Sequence, residues 1–159
     1  MNPKIVLRPA SVEDEPFLFD LFRAVRADRF DFQPGGHPQM AVMVRLQFKA
    51  QEHTLASQYP GSKHSIILLD GVAVGRLRVV RDETGFRLAD ISILPECQRR
   101  GIGTAVMKDL MAEAQRAGLP VRSTIARANQ ASVHFYRNLG FEVTSQDAAY
   151  VHTQWRSAI

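Results

Sequence analysis

The stretch Asp90-Ile91-Ser92-Ile93-Leu94-Pro95-Glu96-Cys97-Gln98-Arg99-Arg100-Gly101-Ile102-Gly103-Thr104 decides how this chain is read. It begins as an apolar strand that Pro95 stops, crosses a short polar loop and enters a helix at two glycines. Helix N-termini leave backbone N–H groups unpaired, and the macrodipole puts partial positive charge there. Glycines remove side chains, so an anion can approach the backbone closely. Arg99 and Arg100 add full charge beside it. The loop is built to hold an anion of the pyrophosphate type. It is not a Walker loop, because Gly-x-x-x-x-Gly-Lys is absent. It is not a Rossmann fingerprint, because Gly101-x-Gly103 is followed by Val106 where a third glycine belongs.

Working outward, the helix from Gly101 to Gly118 carries one apolar stripe: Ile102, Val106, Met107, Leu110, Met111 and Ala114. Gly118 and Pro120 stop it. A strand over Val121–Ala126, a helix over Asn129–Leu139, and strands over Phe141–Thr144 and Tyr150–Trp155 follow. Upstream, Phe86–Leu94 and Val72–Arg81 are strands joined at Glu83-Thr84-Gly85. Asp70-Gly71 is a hairpin turn back to a strand over His64–Leu69. Further upstream, Met40–Ala56 reads as a helix with Val42, Leu46 and Leu55 among its apolar positions. Tyr59-Pro60-Gly61 ends it. Gln33–Pro38 is a breaker-rich loop. Ser11–Asp14 resembles a capping box that starts a helix over about Ser11–Asp28. Lys4–Arg8 is a first strand closed by Pro9. The early hairpins are antiparallel, whereas the crossover through the Gly101 helix makes one parallel pair. The fold class is therefore α/β (α+β): a mixed, mainly antiparallel sheet of six to seven strands flanked by about four helices.

Composition narrows the function. The chain has 159 residues, 45% apolar and 23% charged, with a net charge of +4. This is ordinary globular composition, consistent with one domain over residues 1–159. No apolar run approaches the roughly 18 residues of a membrane span. Cys97 is alone, so neither an internal disulfide nor a Cys-based zinc site can form. The five histidines make no His-x-x-x-His pair, and no metal is expected. The N-terminus lacks the apolar stretch of a signal peptide, which makes the cytoplasm the default location.

Gln98-x-x-Gly101-x-Gly103 resembles the acetyl-CoA signature of the GCN5-related N-acetyltransferase (GNAT) superfamily. A second block, Asn129 through Phe135-Tyr136 to Leu139-Gly140-Phe141, resembles that superfamily's later signature. The likeness covers about Ile66–Phe141; the first 60 residues match only in the order of their elements. It implies acetyl transfer from acetyl-CoA to a primary amine by direct attack in a ternary complex. In that reading Gln98, Arg99, Arg100, Gly101, Ile102, Gly103 and Thr104 take the diphosphate. Ile91, Ser92, Ile93 and Leu94 flank the pantetheine arm, and a free N–H near Ile93 or Leu94 polarises the thioester. Asn129 and Ser132 contact the coenzyme, Asn129 also serving as a helix cap. Tyr136 gives a proton to the departing thiolate, although it can equally be read as a core aromatic. Asp90, beside an expected strand bulge, is either the base for the amine or a structural carboxylate. Glu83 and Glu96 are weaker choices.

The acceptor site is expected from the first 60 residues, with Arg45, Gln47, Gln51, His53 and Tyr59 as candidate lining. Arg76 and Arg78 alternate with Leu77 and Val79, which reads as a solvated sheet face. The acceptor's identity and the length of the acyl group stay open. Tyr150–Trp155 could pair between subunits of a homodimer. The alternative is a non-catalytic acyl-CoA sensor on the same fold. A nucleic-acid binder is disfavoured, since aromatic residues do not interleave with the arginines.

Overall fold

The computed structural model describes residues 3–26 and 38–158. The elements in chain order are β1 (Ile5–Pro9), a 3-10 turn (Val12–Asp14), α1 (Glu15–Val25), α2 (Pro38–Gln58), β2 (Lys63–Leu69), β3 (Val72–Asp82) and β4 (Gly85–Ile93). A 3-10 turn (Pro95–Cys97), α3 (Ile102–Ala117), β5 (Val121–Ala126), α4 (Gln130–Asn138), β6 (Glu142–Gln146) and β7 (Tyr150–Trp155) complete the order. The seven strands form one sheet in the order β1-β2-β3-β4-β5-β7-β6. Every neighbouring pair is antiparallel except β4 and β5, the pair joined through α3. The expected mixed sheet with four helices is what the chain forms.

The sheet buries a different helix layer on each face. On one face, the stripe Ile102, Val106, Met107, Leu110, Met111 and Ala114 of α3 packs on Ile67, Leu77, Val79, Leu88 and Val121, with Tyr136 of α4 in the same cluster. On the other, Leu18 and Phe22 of α1 and Val44 and Phe48 of α2 enclose Ile66. Successive strand residues point to opposite faces, so Ile66 and Ile67, both fully buried, serve different layers. Burying one such side chain is worth about 1.5–3 kcal/mol.

Most boundaries shift by one or two residues from the sequence reading, and three differences carry a physical reason. The first helix begins with a separate 3-10 turn, in which Asp14 accepts the Ser11 N–H at 2.8 Å and receives Arg8 through both of its oxygens. Those contacts, with burial opposing them, hold the Asp14 carboxyl well below the usual carboxylate range. Helix α2 runs from Pro38 to Gln58, and its inward residues are Val44, Phe48 and Leu55. Val42 and Leu46, expected inside, are 61% and 62% exposed. The last hairpin's first strand starts at Glu142, because Phe141 turns into the α3-side core. The predicted loop residues before Pro38, and the predicted end of the first helix at Asp28, lie outside the described residues.

Candidate functional site

The deciding feature is where two neighbouring strands stop pairing. Strands β4 and β5 pair only over Phe86–Leu88 and Val121–Ser123. Beyond that point β4 continues to Ile93 along β3 alone, while β5 continues to Ala126 along β7. The split coincides with an irregularity in β4. Arg78 pairs with Asp90 but Val79 pairs with Leu88, which leaves Ala89 as the extra residue of a bulge. The bulge bends β4 away from its parallel partner.

The ladder to β3 fixes which backbone groups face the gap. Leu94 N–H donates to the Val74 carbonyl at 2.8 Å. Arg76 lies opposite Ser92, and Arg78 opposite Asp90. Alternation of an antiparallel ladder then turns the backbone groups of Ile91 and Ile93 toward the β5 side. The expectation of a free N–H near Ile93 or Leu94 is corrected for Leu94, whose N–H is consumed by β3. The Ile93 carbonyl accepts from Gln98 Nε2 at 3.0 Å, tying the loop to the strand end. Gly75 permits the close β3–β4 contact here: a Cβ on it would overlap the Ser92 carbonyl oxygen.

The loop after β4 delivers the N-terminus of α3 to the end of the gap. Arg99 and Gly101 both adopt left-handed backbone, with φ of 64° and 81°. Arg99 is not a glycine, so the loop stores local strain of about 1 kcal/mol or more. No side chain caps α3, and its first turn holds no acidic residue. The first N–H groups of Ile102, Gly103 and Thr104 are thus left for an external acceptor. Arg99, Arg100 and Gly101 are exposed, while the Ile102 side chain is 3% exposed and belongs to the core. Phe135 packs under this turn, about where a Cβ on Gly103 would meet its ring at 3.5 Å.

Tyr136 places its hydroxyl at the point of the split. It is buried, and its ring makes edge contacts with Phe135 and Phe141, each at 5.3 Å between centroids. Its hydroxyl lies near Ser123, the last β5 residue to pair with β4. Burial pushes the phenol well above its ordinary value. Ser123 opposes this, and the Asp90 charge adds to it. The group is therefore a phenol, not a phenolate, throughout the neutral range. The core reading of Tyr136 is what the structure shows: its ring is buried among Phe135 and Phe141. Asn129 caps α4 by accepting the Ser132 N–H at 3.2 Å.

The opposite face of the split is polar. Arg76 is not on a solvated face, as its alternation suggested. Its side chain is 5% exposed beneath α2. Its Nε donates to Asp90 Oδ2 at 2.6 Å and its Nη1 to Glu52 Oε1 at 2.5 Å. Burial alone would lower the guanidinium, but the two carboxylates raise it. Ser92 Oγ donates to the same Asp90 carboxylate. Arg78 turns instead to Ser62 Oγ and His64 Nδ1, at 3.0 and 3.1 Å. Burial, together with the charges of Arg78 and Arg76, lowers His64 to about 4, so the ring is neutral and Nδ1 serves as acceptor.

Glu52 and Arg76 are the participants that the sequence reading missed. Glu52 stands four residues after Phe48 and three before Leu55, which puts it on the sheet-facing side of α2. Of the expected acceptor lining, only Gln51 turns inward, with a buried Oε1. Gln47 and His53 are exposed, Arg45 stacks on Phe19 at 4.2 Å, and Tyr59 lies beside Arg87.

Comparison with known proteins agrees with this geometry. A family model, the Acetyltransferase (GNAT) family, matches residues 23–141. Among solved structures, the PaiA N-acetyltransferase of Thermoplasma acidophilum in complex with coenzyme A superposes with a TM-score of 0.72. It is 16% identical, with 97% of this chain and 99% of that one covered. An acetyltransferase of Thermus thermophilus gives 0.69 at 18% identity, covering 97% of each chain. The ribosomal-protein-S18-alanine N-acetyltransferase of Escherichia coli gives 0.66 at 15% identity, covering 98% and 96%. A sequence comparison with curated proteins finds no match. At these identities the structures establish the fold, and the family model, which spans most of the chain, establishes kinship: the chain belongs to the GNAT family of acetyltransferases.

Proposed function

We propose that this protein transfers an acetyl group from acetyl-CoA to a primary amine, by direct attack with both reactants bound. The observation that carries the reading is the coincidence at one place of the β4–β5 split, the uncapped α3 N-terminus and the Tyr136 hydroxyl. The residues present fit the coenzyme. Unpaired N–H groups of Ile102–Thr104, with Arg99 and Arg100 beside them, suit a diphosphate. The backbone of Ile91 and the Ile93 N–H offer an open strand edge to the amide-bearing pantetheine arm. Asn129 and Ser132, at the start of α4, stand as further coenzyme contacts.

Acetyl-CoA supplies an activated acyl group as a thioester, so positioning does most of the work. The Ile93 N–H polarises the carbonyl as a single oxyanion donor. An alkyl amine is mostly protonated at neutral pH, near a pKa of about 10.4, and must lose a proton to attack. Asp90, with its side chain 20% exposed, is the acceptor of that proton in this reading, directly or through water. The new C–N bond forms as the C–S bond breaks; Tyr136 gives its hydroxyl proton to the departing sulfur, and the second proton shed by the nitrogen returns through water to restore the phenol. The protein is read as one domain acting on an amine of unassigned identity; among the described residues no helix is long and apolar enough to cross a membrane.

A screen of amines with acetyl-CoA, detecting released thiol, tests this. Release that depends on one class of amine is expected, with the acetylated amine confirmed by mass. Tight coenzyme binding with no release for any amine would replace the enzyme by an acyl-CoA sensor.

A further inference from the structure

We infer that Arg76 is a positioning residue for the transfer: it holds the Asp90 carboxylate at the split and ties helix α2 to it through Glu52. The inference rests on the reading of Asp90 as the proton acceptor, and it extends that reading to a residue on another strand and to a helix across the site.

The guanidinium fork spans two carboxylates that come from elements far apart in the chain, α2 and β4. An ammonium is a point charge and spans such a pair less well. Each carboxylate gives Arg76 one oxygen, and both side chains remain partly exposed, Glu52 at 24% and Asp90 at 20%. Arg78, the next inward cation on β3, is occupied by Ser62 and His64 and does not compete for them. The charged and titratable groups around Asp90 are thus Arg76 and Arg78 from β3, Glu52 from α2, neutral His64 from β2 and the Tyr136 phenol from α4.

Packing alone does not call for this arrangement. A buried ion pair adds little net stability compared with apolar residues of similar volume. Val44, Phe48 and Leu55 already seat α2 on the sheet. What the ion triad adds is direction. It fixes the Asp90 carboxylate within a hydrogen bond of Ser92, immediately after the Ala89 bulge. It also makes the lie of α2 depend on that same carboxylate.

The test compares Arg76→Met, Arg76→Lys and Glu52→Gln with the wild type in steady-state kinetics and in amide hydrogen exchange. Arg76→Met is expected to lower kcat/KM for the amine by about 100-fold, as for a misplaced reacting group. Its affinity for CoA is expected to stay unchanged. Arg76→Lys should recover part of the loss. Amides of α2 should exchange faster by more than about tenfold in Arg76→Met, while those of α3 are unmoved. A merely structural role would instead lower the active fraction, leaving both KM values as they were. Unchanged amine kinetics, or α2 exchange equal to that of the wild type, overturns the inference. If Arg76→Met does not fold, Glu52→Gln removes the charge of the α2 arm alone and must still speed α2 exchange. If the wild type itself transfers no acetyl group, the functional reading fails, and the exchange data still decide whether Arg76 couples α2 to β4.

Discussion

Replacing Tyr136 by phenylalanine is expected to lower acetyl-transfer turnover by about 10²–10³-fold, the usual contribution of a positioned proton donor. The substitution removes one oxygen from a side chain whose ring is fixed by Phe135 and Phe141. The ring has every reason to stay where it is. Affinity for CoA should therefore be retained, because the α3 turn and the Ile91–Ile93 edge are untouched. A group that stays protonated through the neutral range can donate to a leaving sulfur and cannot serve as a resting base. Pre-steady-state release of thiol separates the chemical step from binding. Turnover equal to that of the wild type would remove Tyr136 from the mechanism and leave it as core.

Placing a carboxylate at the start of α3 by Gly103→Glu is expected to act with opposite signs on folding and on binding. An acid in the first turn of a helix complements the macrodipole, so stability should hold or rise by about 0.3–1 kcal/mol. The same charge would stand where the coenzyme's diphosphate is to lie. Like charges brought together cost several kcal/mol, so CoA affinity should fall by more than about 100-fold. The backbone allows the change, since a Cβ on Gly103 would make ordinary contact with Phe135 at 3.5 and 3.6 Å. Gly103→Ala is the control and should keep most of the affinity. Calorimetry with CoA reads the binding, and thermal unfolding reads the stability. A Gly103→Glu protein that unfolds at lower temperature and binds as the wild type does would contradict both halves.

Sequence carried most of this fold because its strongest elements are locally consistent. The stripe of α3 is apolar at helical spacing between two glycines, and each of its six inward residues is buried as expected. Asp70-Gly71 turns with positive φ at both residues, as such a pair in a two-residue hairpin should. The Gln98–Thr104 loop was legible for the same reason, since glycine spacing and helix-end chemistry are both written along the chain.

What could not be read were properties of tertiary pairing. Helix α2 has apolar residues all round it, Val42, Met43 and Leu46 outside and Val44, Phe48 and Leu55 inside, so periodicity gives its phase poorly. Arg76 looked solvated because strand alternation tells which residues share a face, not whether a helix covers that face. The Ala89 bulge leaves no mark in composition and was expected beside Asp90 only through the family resemblance; it lies where β4 leaves β5. The pairing of Leu94 with Val74 depends on register, which sequence alone does not set.

The central claim is that the α3 turn and the open edge of β4 together receive coenzyme A. Titration of the labelled protein with CoA, followed by backbone amide resonances, tests it most directly. Saturable shifts should be largest at Arg99–Thr104 and should extend to Ile91, Ile93 and Ser132, with the amides of β1 and β2 unmoved. Saturation that leaves Gly101, Gly103 and Ile93 in place, or shifts confined to another face of the sheet, would contradict the account.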